Sequence, residues 1–193
     1  YNPKRRKIKG LEATLECIAT KEEVEQLSVD ELDARLQKAL EYDDYAWLKE
    51  SGILLTDKDR AKGLHKVLYQ CPHCGTEYEM SSEGTQIKCN HCGKTYEMDE
   101  HGELHALEGE TEFPHIPDWY EWERSNVRKE VREGKYHFEC PVRVDALPNA
   151  KGYIDLGMGT LVHDMNGFTL KGRYKDEDYE VTLLAKDHYS VHI

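Results

Sequence analysis

No apolar stretch of this 193-residue chain approaches the length of a membrane span; the longest are of the kind GILL and VTLLA. The N-terminus, YNPKRRKIKG, has basic residues but not the apolar segment that follows them in a secretory leader. Cations are scarce beyond it. Lys4, Arg5, Arg6, Lys7 and Lys9 give the first ten residues +5, which leaves −17 for the rest of a chain whose formal charge is −12. A surface with that balance repels phosphate backbones at long range, so no nucleic-acid partner is expected. H-E-x-x-H, G-x-S-x-G and Walker A signatures are missing, as are internal repeats, low-complexity tracts and heptad arrays. Acidic residues number 38, so paired carboxylates are expected by composition and point to no site. Hydrophobic residues make up 38% and charged residues 33%, enough for one or two small domains with modest cores. The chain begins at Tyr1 and ends in an alternating run, HYSVHI, that reads as a strand; both ends read as cuts in a longer protein.

Six cysteines are present, and four of them form CPHCG and CNHCG, spaced C-x2-C-x14-C-x2-C at Cys71, Cys74, Cys89 and Cys92. Each pair predicts a tight knuckle in which backbone N–H groups turn toward the thiolates and the closing glycine permits the turn. Two knuckles brought together make a tetrahedral four-sulfur site, which favours a structural zinc; iron in a rubredoxin-like site is the competing metal. Four thiolates leave no open position for water, so hydrolysis at this metal is not expected. Its contribution is folding free energy in a meander too short to bury a core. His73 and His91 sit inside the knuckles and read as tip residues. The acidic flanks (Glu77, Glu79, Glu83, Glu97, Asp99, Glu100, Glu103) make a poor phosphate surface, and Tyr78 and Tyr96 read as packing residues of the small sheet. Cys17 and Cys140 lie in strand-like runs and read as small buried residues of a protein kept reduced; a disulfide between them would need an oxidising compartment. The protein is read as intracellular.

Hydropathy patterning gives an α+β organisation: a short strand–helix segment, a rubredoxin-like zinc ribbon, and a helix plus antiparallel β module. Residues 1–64 hold a half-buried strand with Leu11, Ala13, Leu15 and Cys17 on one face. Capping boxes follow at Thr20/Glu23 and Ser28/Glu31, the second opening an amphipathic helix with Val29, Leu32, Leu36, Ala39 and Leu40 on its packing face. YDDYAW continues that helix or turns out of it. Residues 65–107 are the ribbon, with strands expected at KVLYQ, TEYEM, TQIK, TYEM and ELHAL. Residues 108–116 read as a linker. In 117–193, Pro117 opens a helix that Gly134 stops, with Trp119, Trp122, Val127 and Val131 as its buried stripe. The later strands include a hairpin turning at Asn166–Gly167. His163–Asp164 reads as a turn pair rather than a dyad.

The order of KIKGLEATLECIATKEEVEQLSVDELDARLQKALEYDDYAWLKESGI followed by KGLHKVLYQCPHCG resembles the region after the catalytic domain in some bacterial lysophospholipid acyltransferases, the 1-acyl-glycerol-3-phosphate acyltransferase family. The similarity covers residues 7–110. The family's H-x4-D signature is absent, since no histidine here has an aspartate five positions on, so no catalytic residue carries over. The resemblance implies a non-catalytic accessory region whose parent acylates 1-acyl-glycerol-3-phosphate in phospholipid synthesis, with the active site upstream. Its partner would be that upstream domain. The location implied is cytoplasmic and membrane-associated in the parent, where Lys4, Arg5, Arg6 and Lys7 would touch anionic lipid. The alternative is a zinc-ribbon protein–protein adaptor with an acidic surface.

Overall fold

Two sequence signals placed early in the chain are realised as hydrogen bonds. In the computed structural model, which describes residues 15–187, Thr20 and Glu23 close a reciprocal cap (Thr20 N to Glu23 Oε2 2.9 Å, Glu23 N to Thr20 Oγ1 3.3 Å) that starts α1, Lys21–Gln26. Ser28 and Glu31 do the same for α2, Val29–Leu40. The apolar face of α2, however, has no buried residue: Val29 is 81% exposed and Leu40 71%. The amphipathic pattern predicts packing, yet no described element covers it. The helix is held by its cap and by the Arg35–Glu23 ion pair at 3.1 Å. Most of the expected first strand, and all of HYSVHI, lie outside the described residues. Leu15–Ala19 are irregular, and Leu15 and Cys17 are exposed rather than buried. Cys17 and Cys140 are both free thiols.

YDDYAW starts a new helix. Asp43 Oδ1 accepts from the N–H groups of Tyr45 and Ala46 at 2.9 and 3.0 Å and opens α3, Asp44–Ser51. The other oxygen of Asp43 meets His115 Nε2 at 2.7 Å, and Lys49 reaches Glu103 at 2.5 Å, so α3 is tied at both ends to the chain between residues 103 and 115.

The first sheet is an antiparallel meander: β1 Met80–Glu83, β2 Gln86–Cys89, β3 Thr95–Met98 and β4 Leu104–Ala106, in that order. Alternation puts Met80, Ile87, Cys89, Tyr96, Met98 and Leu104 on one buried face. Ala61 and Leu68 from the preceding loop, and Ile116 and Trp119 from the following helix, complete this core. The strands expected around the first cysteine pair do not form. KVLYQ starts on the last residue of a 3-10 turn, Leu64–Lys66, and meets TEYEM through a single isolated bridge, Gln70 to Glu77. The cause is Tyr78, whose φ of 61° breaks extended pairing and delays β1 to Met80. Tyr78 consequently stacks outward on Tyr69 at 5.1 Å instead of packing the sheet, whereas Tyr96 is fully buried.

Residues 108–115 lie against the meander: Leu104 N donates to Pro114 O at 2.8 Å, and Lys94 Nζ reaches the carbonyls of Glu108 and Glu110 at 2.9 and 2.6 Å. Helix α4, Ile116–Arg132, then runs to Gly134. Its buried line is Ile116, Trp119 and Glu123. Trp122 and Val127 are half-buried, and Val131 is 42% exposed, so the expected stripe is rotated toward an acidic residue.

The second sheet, β5 His137–Ala146, β6 Ile154–Asp164, β7 Gly167–Tyr174 and β8 Glu177–Leu184, is another antiparallel meander. The β6–β7 turn is centred one residue earlier than expected, on Met165–Asn166. Gly167 is already paired with Asp164. Glycine is required there by the neighbouring strand, because a Cβ would stand 2.1 Å from Leu183 O.

Candidate metal centre

The two cysteine pairs fold into equivalent knuckles. In the first, Cys71 N–H donates to Thr76 O at 2.9 Å, and Cys71 O accepts from Gly75 N at 2.8 Å. In the second, Cys89 N–H donates to Lys94 O at 2.9 Å, and Cys89 O accepts from Gly93 N at 2.9 Å. Gly75 and Gly93 take φ of 75° and 81°, the left-handed conformation that a side chain resists and that closes each loop. Asn90 N donates to Glu79 O at 2.7 Å and His91 Nδ1 meets Thr76 Oγ1 at 3.2 Å, which ties the second knuckle to the segment of the first.

The four sulfurs all lie within 4.8 Å of one another. Cys71 Sγ to Cys92 Sγ and Cys74 Sγ to Cys89 Sγ are each 3.8 Å. Four sulfurs held about 2.3 Å from one central ion stand about 3.8 Å apart along the edges of a tetrahedron. A disulfide would need about 2.05 Å. The chain thus brings together all four residues singled out by spacing, in an arrangement that can hold a metal ion. Cys71 and Cys89 form the buried side, and Cys74 and Cys92 the exposed side.

The electrostatics of the four thiols are uneven. Burial pushes Cys71 well up, against the N–H groups of Cys74 and His73 that favour its thiolate. Cys74 is pulled down to about 5, chiefly by the Thr76 hydroxyl 3.4 Å away. Loss of water raises Cys92, against the N–H of Lys94. A divalent cation at the centre would override these differences, because a coordinated thiol gives up its proton outright. The knuckle histidines are engaged elsewhere: His73 Nδ1 meets Glu112 Oε1 at 3.0 Å, and His91 Nδ1 meets Thr76 Oγ1 at 3.2 Å.

Three features of the site's support were not singled out by motif. Glu112 receives the Tyr96 hydroxyl at 2.6 Å and so pins residues 108–112 over the second knuckle. Trp119 Nε1 donates to Gln70 O at 2.9 Å, and Glu123 Oε1 accepts from Gln70 N at 2.8 Å. Helix α4 therefore grips both backbone groups of the residue before Cys71. Helical spacing from Ile116 through Trp119 to Glu123 was the available signal, obscured because the third residue is acidic.

A second group, Asp99, Glu103 and His105, also draws its polar atoms together. Asp99 Oδ1 already accepts from His101 N and Glu103 N (2.8 and 2.9 Å), Oδ2 meets His105 Nε2 at 2.9 Å, and Glu103 is paired with Lys49. This group is a stapled turn. The adjacent His163–Asp164 pair is divided in the same way, His163 facing the Tyr136 hydroxyl at 3.0 Å while Asp164 caps Asn166 N at 2.8 Å.

No family model, curated protein or solved structure matches the chain. Fold and site together define an α+β protein with a four-cysteine cluster able to bind a metal ion. Among the described helices none is long and apolar enough to cross a membrane.

Proposed function

We propose that Cys71, Cys74, Cys89 and Cys92 hold a structural zinc ion and that the chain is a non-catalytic accessory module clasped by it. The observation that carries this reading is the pair of 3.8 Å cross-knuckle sulfur separations, the edge length of a four-thiolate tetrahedron. Such a site offers no open position for water or substrate, and its chemistry is folding free energy. Zinc is preferred because it carries no redox change and imposes no geometry of its own; iron at the same sulfurs is the competing metal.

The resemblance over residues 7–110 supports a parent that is a lysophospholipid acyltransferase, cytoplasmic and membrane-associated, with its H-x4-D site upstream. The cluster at Lys4, Arg5, Arg6 and Lys7 would add contact with anionic lipid. The test is acyl transfer from a labelled acyl thioester to lysophosphatidic acid, run on the natural full-length product and on residues 1–193 side by side. Activity in the full-length product alone is the expected result. Activity in neither discards the acyltransferase parent. The alternative, a zinc-ribbon protein–protein adaptor with an acidic surface, is favoured by a separate observation, the −17 that the chain carries beyond its first ten residues.

A further inference from the structure

The second sheet breaks its regularity in two places, and residues from both line one hollow. Between β5 and β6 the register shifts: Val144 pairs with Gly157 and Asp145 with Asp155, so Leu156 falls out of the ladder. Gly157 takes a φ of 85° there, and its N–H donates to Asp155 Oδ1 at 2.8 Å. Such a bulge bends its strand and re-aims the side chain beside it. In the middle of the sheet Gly159 and Gly172 are directly paired, which leaves the centre of the face without side chains. Val144 and Leu170 lean into that gap: a Cβ on Gly159 would stand 3.1 Å from Val144 Cγ2 and 3.5 Å from Leu170 Cδ1. Tyr179, the partner of Gly172 on β8, lies across the other glycine so closely that a Cβ there would overlap its hydroxyl.

The hollow measures about 470 Å³. Its aliphatic lining includes Val144, Leu156, Leu170 and Val181. The Tyr179 hydroxyl is buried there with no hydrogen-bond partner among the described residues. The charged side chains that line it are three exposed carboxylates, Asp145, Glu177 and Asp178, with no lysine or arginine among them. Asp178 is paired with Arg173 at 3.5 Å. Asp145 and Glu177 form no ion pair among the described residues. Arg143 is committed to Asp155 at 2.6 Å, and Lys175 lies over the Tyr174 ring at 5.2 Å. Asp145 also stands opposite Asp155 across the β5–β6 ladder, a like-charge pairing that a cation would relieve.

We propose that this hollow binds a small amphipathic amine, an apolar chain ending in a primary ammonium. Its size falls within the roughly 300–1,000 Å³ of small-ligand pockets, which are walled by hydrophobic side chains and oriented by a few polar groups. Charge selects the ligand class. Unpaired carboxylates repel a fatty acid or a phosphate ester and attract a cation. Aliphatic walls offer a bare metal ion nothing to replace its water shell, but they cover an alkyl chain. An ammonium brings three donors, which the two carboxylates and the Tyr179 hydroxyl oxygen can accept. A hydroxyl buried without a partner costs free energy that such a donor offsets. The alkyl chain would cover Leu156 and Val181, the latter 51% exposed. The hollow shares no residue with the four cysteines, so the proposal stands whether or not they hold a metal.

The test is calorimetric titration of the 193-residue chain, prepared with zinc, against octylamine, octanoate and octan-1-ol. Octylamine is expected to bind saturably and about tenfold or more tighter than either of the others. Asp145→Asn and Glu177→Gln are each expected to weaken it by about threefold, and the loss should shrink at high salt. Glu83→Gln, which removes a carboxylate from the first sheet, should leave it unchanged. Val181→Lys, which puts a cation on the wall, should abolish binding. A native-like circular dichroism spectrum qualifies each variant, and substitutions on three strands guard against one that fails to fold. The absence of saturable octylamine binding overturns the proposal. So does octanoate binding as tightly as octylamine, or an affinity that neither Asp145→Asn nor Glu177→Gln changes.

Discussion

At the middle of α4 a carboxyl group sits where water does not reach. Glu123 is 1% exposed, accepts one N–H from Gln70, and leaves Oε2 without a partner. Burial raises its pKa from an ordinary 4.5 to about 7, against the hydrogen bonds that favour the charged form. Between those two values the folded protein binds the proton and the unfolded chain does not. Stability from this group is therefore full below pH 4.5 and falls as pH rises through about 7. By about pH 8 the loss is on the order of 1–3 kcal/mol. Glu123→Gln keeps an acceptor for Gln70 and cannot ionise. Its melting temperature should be flat over this window and exceed that of the parent chain at about pH 8. Equal pH dependence in the two proteins would contradict the role given to Glu123.

At the scale of elements, the metal knuckles, β1 to β4 and α4 behave as one unit, because α4 grips Gln70 and every residue of the buried core lies between Ala61 and Trp119. Cys71→Ser removes a ligand on the buried side and Cys92→Ser one on the exposed side. Each is expected to lose the metal and melt this unit, while much of β5 to β8 keeps its strand signal in circular dichroism. Full metal retention with an unchanged melt would sink that assignment. The elements were readable where local chemistry decides them: both capping boxes, the knuckle turns, β2 and β3, and the glycine stop after α4. They were not readable where the fold overrides the pattern. The left-handed Tyr78 cannot be seen in TEYEM. Neither the outward apolar face of α2 nor the buried carboxyl of Glu123 follows from periodicity, which ranks residues by polarity and not by what lies opposite them. The Asn166–Gly167 turn slipped by one residue because Gly167 answers to the approach of Leu183 O, a contact with the next strand along the chain.

For the whole molecule, two sheets divide the work. The first has a core but a small one, eleven hydrophobic residues of which two are metal-site cysteines. A meander of that size would draw stability from the metal proposed for its four cysteines. The second has no core of its own among the described residues and meets the rest through the chain after α4 and the Tyr78–Phe138 contact. The central claim is that the four thiolates hold a structural metal, and the most direct test is metal analysis combined with thermal melting, before and after a strong chelator. One zinc per chain, lost on chelation together with the cooperative melt of the first sheet and restored by zinc, is the predicted result. A chain that carries no metal, or that melts identically with and without it, would contradict the account.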